Sequence, residues 1–244
     1  MTGTVAIIQA RLGSTRLPGK VLLPLLGEPL LAHVVRRVAR ATSVDATVVA
    51  TTVLPPDDAI VELGRREGWI VERGSERDLL DRYLQAARAH AAERVVRITS
   101  DCPLIDPDLI DKVVRTLSAS GSDYASNTLE PRTWPRGLDV EAMTAAALEA
   151  ANVADQDPHS REHATPYIYR HPETFKLAAV RSPVDLSAHR WTVDTPGDYE
   201  LVRRIYDELG RDDFSWRDAL AVVEAHPDWP ELNRDVAQKS LPHG

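Results

Sequence analysis

Short runs of β-branched and other apolar residues alternate with longer stretches in which apolar positions recur at helical spacing. VAIIQA (5–10) predicts a first strand, and a glycine-bearing loop follows it. In PLLAHVVRRVARA, Pro29 suits a first helical position, and Leu30, Leu31, Val34, Val35 and Val38 fall on one face. TVVATTV (47–53) predicts a second strand, DDAIVELGRREG a helix stopped by Gly68, and WIVERG a short third strand. Ser75 stands three residues before Asp78, an N-terminal capping arrangement for DLLDRYLQAARAHAA. A fourth strand (94–99) ends in a loop at Asp101, before a helix in PDLIDKVVRTLSAS.

This β-α-β-α rhythm predicts an α/β fold, a mostly parallel sheet covered by helices on both faces. Right-handed crossovers put the strand C-termini and their loops on one edge, where open sheets of this kind bind ligands. After about residue 121 the rhythm changes: DYASNTLEPRTWPRGLDVEAM mixes strand-prone pieces with prolines and glycine. Helix-like segments at 144–154 and 159–170 come next, followed by the strands FKLAAVRS and RWTVD. TPGDYELVRRIYDELG and SWRDALAVVEAHP read as helices. The expected organisation is one domain over 1–244, with 1–120 and about 190–244 forming the main layer. Residues 121–189 form an inserted arm that completes a pocket, and the proline-rich tail from about 227 is loosely held.

Composition narrows the classes. A 244-residue chain that is 43% hydrophobic and 27% charged suits one globular domain with a sizeable core. A net charge of −8 argues against a nucleic-acid-coating protein, which needs a basic surface to release counterions. The single cysteine, Cys102, excludes an intramolecular disulfide or a cysteine-built metal cluster and suits a reducing cytoplasm. The first apolar stretch is interrupted at Arg11, and no segment approaches about 18 uninterrupted apolar residues, so neither an export signal nor a membrane span is expected.

The chemistry concentrates in the first loop, within IIQARLGSTRLPGKVL (7–22). A Walker loop needs four residues between its glycine and Gly-Lys, then Ser or Thr; here five residues separate Gly13 from Gly19, and Val21 follows Lys20. The dinucleotide pattern G-x-G-x-x-G fails as well. What remains is a turn after the first strand carrying Arg11, Arg16 and Lys20. Glycines let backbone amides approach an anion, arginine offers a planar fork and lysine a mobile charge, a set suited to polyphosphate. A solvated basic turn is the alternative.

The stretch resembles the N-terminal signature of the cytidylyltransferases that activate sugar acids, such as 3-deoxy-manno-octulosonate and acylneuraminate. With Gln9 it is most similar to the branch named after a spore-coat polysaccharide biosynthesis protein. The resemblance covers roughly residues 4–205 and is strongest at 7–22, 97–106 and 191–199. It implies a Rossmann-like nucleotidyltransferase fold, transfer of CMP from CTP to an acceptor with release of pyrophosphate, and a homodimer built through the arm. It also implies that Arg11, Gly13, Ser14, Arg16 and Lys20 wrap the triphosphate, with Ala10 presenting backbone groups to the base.

Nucleotidyl transfer calls for Mg²⁺ on carboxylates and phosphate oxygens. Asp101 and Asp194 both follow expected strands, and SDCPLID and VDTPGDY resemble the family segments whose aspartates hold the metal. Each also has a plain reading, as a helix cap or helix N-terminus. Asp198, one turn on, is expected to cap or to pair on the surface. GSERDLLDRYLQAA resembles the segment that reads the nucleotide, which makes Arg77, Asp81 and Arg82 candidates, against an exposed amphipathic helix. In the arm, G-x-D-V-E and R-E-H-x-T-P-Y-I resemblances nominate Arg136, Gly137, Asp139, Glu141, Arg161 and His163 for a small anionic acceptor, either a sugar acid or a phosphonate or phosphorylated metabolite. His159 and His163 do not match H-E-x-x-H and lack a third zinc ligand. Cys102 is expected to pack rather than react. Two other functions share the outline: a nucleotide-binding accessory protein without turnover, and a glycosyltransferase, which would use a ready-made sugar nucleotide and usually carries a D-x-D metal motif.

Overall fold

The computed structural model describes residues 3–237. Nine strands and nine α-helices alternate through them: β1 (Thr4–Gln9), β2 (Pro24–Leu25), β3 (Glu28–Pro29), α1 (Leu30–Ala39), β4 (Ala46–Thr52), α2 (Asp58–Glu67), β5 (Ile70–Gly74), α3 (Leu79–Ala89), β6 (Arg94–Thr99) and α4 (Pro107–Ser120). The second half adds β7 (Tyr124–Ser126), β8 (Glu141–Thr144), α5 (Ala145–Ala154), α6 (Pro158–Arg161), α7 (Pro166–Arg170), β9 (Leu177–Ala179), α8 (Pro196–Leu209) and α9 (Trp216–Ala225).

Seven strands form one sheet in the order β5-β4-β1-β6-β8-β7-β9. β5, β4, β1 and β6 run parallel, and β8 lies antiparallel between β6 and β7. This is the mostly parallel, helix-flanked sheet of a Rossmann-like nucleotidyltransferase, and residues 121–189 contribute β7, β8 and β9 to it. Alternate residues of each inner strand enter opposite cores, as a period of two demands. Ile8, Val49 and Ile98 face the core under α1, α4, α8 and α9, whereas Ile7, Val48 and Val95 face the core under α3 and α5. All three isoleucines are fully buried, and each stabilises the fold by about 1.5–3 kcal/mol on transfer grounds.

The helix boundaries follow local chemistry. Asp78 accepts the Asp81 amide at the start of α3, Asp106 does the same for Leu109 in α4, and Gly68 and Gly121 end α2 and α4 in the left-handed region. Three expectations need correction. RWTVD is no strand: it makes one isolated bridge, Arg136 to Arg190, and otherwise runs as extended chain. The 159–170 helix is broken into α6 and α7, because Ala164 takes φ 68° and Pro166 cannot donate to a continuing ladder. The tail is anchored at least to Asn233, which is 6% exposed and donates to Arg190 O and Asp198 Oδ1, both at 2.9 Å.

Candidate active site

The C-terminal ends of β1, β4, β5 and β6 share one edge, and antiparallel β8 brings its first residue, Glu141, opposite Arg97 on β6. The loops leaving that edge surround a cleft of about 1190 Å³.

The loop after β1 folds back on Leu12, whose carbonyl accepts the amides of Ser14 (2.8 Å) and Gly19 (3.1 Å). Its own amide donates to the buried carboxylate of Asp57 at 2.7 Å. Gly19 adopts φ 70° there, a left-handed conformation that releases Lys20 into a 3-10 turn. Lys20 then reaches across the cleft. Its Nζ lies 2.7 Å from Asp101 Oδ2 and 2.9 Å from Asp194 Oδ1. Arg16 and Arg190 both meet the other Asp194 oxygen, at 2.9 and 2.8 Å. Burial disfavours the Lys20 ammonium, but the charges of Asp101 and Asp194 outweigh it and hold the amine above its ordinary value. Burial also opposes an ionised Asp101, and the Lys20 ammonium more than offsets this, so the carboxyl sits below its usual range. The two aspartates sit side by side without a shared strand: Val193 N donates to Asp101 O at 2.8 Å, which ties the extended segment 190–194 beside the loop after β6.

Asp198 corrects a further expectation. It is wholly buried rather than superficial, and it both caps α8 and accepts from Arg190 Nε at 2.8 Å. It therefore fixes the arginine that holds Asp194. Cys102 is buried, and burial followed by the neighbouring Asp101 charge raises its thiol well above the ordinary value, so it packs as a protonated thiol.

The cleft also receives Ala10, Arg11, Gly13, Ser14, Arg82, Arg136, Asp139, Glu141 and His163. Arg77 lies apart from it, in an adjoining pocket of about 550 Å³ shared with Arg11, Glu76 and His159. Asp81 lines neither, and accepts from Gln85 on the surface of α3. Arg161 is held by Asp78 and Asn152 outside the cleft. Gly137 acts through its backbone: at φ 102°, an added Cβ would come within 2.5 Å of Thr192 N and of Trp191 C.

Several cleft residues carry no local sequence signature. Arg97 pairs with Glu141, which also accepts from Tyr124 at 2.7 Å. Arg132 grips Asp139 with two hydrogen bonds of 2.7 and 3.2 Å. The Arg136 guanidinium, by contrast, has no hydrogen-bond or ion-pair partner among the described residues, while its backbone amide donates to His189 O and its carbonyl accepts from Trp191 N. His163 is lowered by burial and then by the Arg97 charge, which keeps its ring uncharged at neutral pH. A visible hint did exist for Arg97, and for Arg190 behind the cleft: an arginine within RVVRIT and one at the head of RWTVD each mark a polar group that burial must satisfy.

The site can thus gather phosphate oxygens beside a cation position and hold an anion on Arg136. A family model described as "Cytidylyltransferase" matches residues 5–213. The chain is 34% identical to the spore coat polysaccharide biosynthesis protein SpsF of Bacillus subtilis (strain 168) over 236 residues, 93% of this chain and 97% of that protein. It is 42% identical over 129 residues, 52% of this chain and 51% of the other, to a 3-deoxy-manno-octulosonate cytidylyltransferase of Anaeromyxobacter dehalogenans (strain 2CP-C). The solved structure of a cytidylyltransferase from Leptospira borgpetersenii serovar Hardjo-bovis (strain JB197) superposes with a TM-score of 0.90 at 33% identity, covering 98% of this chain and 100% of that one. Fold, site and likeness together place this chain in the cytidylyltransferase family, as a CTP-dependent nucleotidyltransferase of its SpsF-like branch.

Proposed function

We propose that the protein transfers CMP from CTP to a small anionic acceptor, a sugar acid or a phosphonate or phosphorylated metabolite, and releases pyrophosphate with the help of Mg²⁺. The observation that carries this reading is the Lys20 ammonium between Asp101 and Asp194 at the edge of a parallel sheet. A spot where two carboxylates already hold one cation suits another. The donors are oxygens, as Mg²⁺ prefers, and the described residues include no group of three or more His, Cys, Asp or Glu that could enclose an ion. The remaining ligands would be phosphate oxygens and water. Asp101 and Asp194 would hold the ion, which would neutralise the phosphates and polarise the α-phosphorus.

The protein's own groups have separate tasks. Arg16 and Lys20 bind the phosphates and offset charge that grows on the bridging oxygen as the pyrophosphate leaves. Arg136 fixes the acceptor's anionic group, while the neutral His163 offers a hydrogen bond to an acceptor oxygen without adding charge. An acceptor oxygen attacks the α-phosphorus in line, and the protonated Cys102 thiol gives no reason to invoke a covalent intermediate. The reading includes a homodimer formed through 121–189, where Val153 and Val184 are exposed.

Pyrophosphate release from CTP, screened against sugar acids, phosphonates and phosphorylated acids, tests the proposal. Lys20→Ala and Asp194→Asn should each lower kcat by about 100-fold or more. Near wild-type rates in both, or equal rates with all four nucleoside triphosphates, would overturn it.

A further inference from the structure

The place between Asp101 and Asp194 contains a positive charge supplied by the protein itself, the Lys20 ammonium. Lys20 reaches it from a 3-10 turn whose start is fixed by Gly19 and Leu12, and its side chain is only 10% exposed. Both contacts are short, 2.7 and 2.9 Å, so the ammonium lies within hydrogen-bond reach of each carboxylate. The second Asp194 oxygen is engaged by Arg16 and Arg190. A divalent ion entering alone would therefore meet an ammonium that leaves room for neither its size nor its charge. A nucleoside triphosphate changes that balance, because its oxygens offer Lys20 and Arg16 a new anionic partner in the same cleft.

We propose that Lys20 is an internal counter-ion that occupies the cation position until a triphosphate draws it away, so that the divalent cation enters only with the nucleotide. This inference rests on the assignment of Asp101 and Asp194 as metal-holding residues. It makes the free enzyme nearly blind to Mg²⁺ and couples the two ligands through one side chain. By linkage, whatever nucleotide does for metal affinity, metal does for nucleotide affinity. Arg190 is unsuited to the same exchange, since Asp198 and Asp194 both hold it from within the protein.

The test is Mn²⁺ binding followed by electron paramagnetic resonance on the whole protein without nucleotide, in wild type, Lys20→Met and Lys20→Met/Asp101→Asn. Wild type should bind Mn²⁺ weakly, Lys20→Met about tenfold or more tightly, and the double variant should lose that gain. Mn²⁺ should also raise the Tm of Lys20→Met and leave that of wild type unchanged. Equal affinity in wild type and Lys20→Met would overturn the proposal. Should Lys20→Met fail to fold, the side-chain resonance of Lys20, one of four lysines in the chain, gives the answer in wild type. CTP without metal should shift it and Mg²⁺ alone should not; a shift with Mg²⁺ alone overturns the idea. A further arm separates this failure from that of the metal assignment: Mn²⁺ binding to wild type in the presence of CTP, which must weaken in Asp101→Asn and Asp194→Asn if those residues hold the ion.

Discussion

Asp57 touches no part of the charged centre directly, yet it sets the loop that feeds it. Its carboxylate is 2% exposed and accepts from both the Leu12 amide and the Thr52 hydroxyl. Asp57→Ala strands a buried amide, at a cost of about 1–3 kcal/mol, and loosens the turn on which Gly19 and Lys20 depend. Its KM for CTP should rise more than its kcat falls, and Asp57→Asn, which retains an oxygen for Leu12, should recover most of the loss; steady-state kinetics on both variants decide this. Asp198 gives a pH test. Burial raises its carboxyl, but hydrogen bonds from Arg190 and Asn233 more than compensate and hold it below the ordinary value. A depressed carboxyl contributes stability above its unfolded value of about 3.9, and that contribution is lost as pH falls through the folded value. Urea unfolding of Asp198→Asn should therefore show a weaker pH dependence below about pH 4 than wild type. At neutral pH the variant should be less stable by about 3–5 kcal/mol, because Arg190 loses a buried partner.

At the level of elements, Gly137, in the loop before β8, is where that loop approaches the extended segment carrying Asp194. With φ 102° and Thr192 N only 2.5 Å from an added Cβ, Gly137→Ala must push the 191–194 segment aside. A strain of about 1–3 kcal/mol is expected, with a larger fall in pyrophosphate release than in Tm, since Asp194 moves with that segment. Equal losses in both would indicate general destabilisation. The same elements explain what was legible beforehand. β1, β4, β5 and β6 and the helices between them announce themselves through local periodicity and caps, whereas the loop after β1 and Asp101 are singled out by resemblance to a known family. RWTVD has the residue types of a strand but no neighbour with which to build a ladder. Arg97, Arg132 and Asp57 owe their roles to partners 44, 7 and 45 residues away. Among these, the pairings of Arg97 and Asp57 depend on sheet order, which periodicity does not encode. Asp198 was misplaced for the same reason: its cap is local, but its burial comes from Arg190 and from Asn233, 35 residues on.

On the scale of the whole molecule, the centre is closed from behind by the end of the described chain. The backbone turn Trp229–Leu232 packs on α8 so closely that a Cβ at Gly197 would come within 2.1 Å of Leu232 O. Removing the chain from Trp229 onward should therefore lower Tm and weaken CTP turnover together; thermal unfolding and kinetics on the truncation check this. No helix among the described residues is long and apolar enough to cross a membrane. A dimer through 121–189 predicts that Val153→Glu shifts the sedimentation profile toward a smaller species, with turnover per chain showing whether the partner matters to the site.

Asn233 also bears on how the enzyme is made. The loop after β1 and Asp101 are synthesised before Asp194 itself and the residues that brace it from behind, Arg190, Asp198 and Asn233, all of which follow β9. A chain stalled before Arg190 carries the Lys20 loop and only one of the two carboxylates that Lys20 joins. On the proposed mechanism catalytic competence therefore waits until the chain has passed Asn233, and a chain stalled short of it should turn over little CTP.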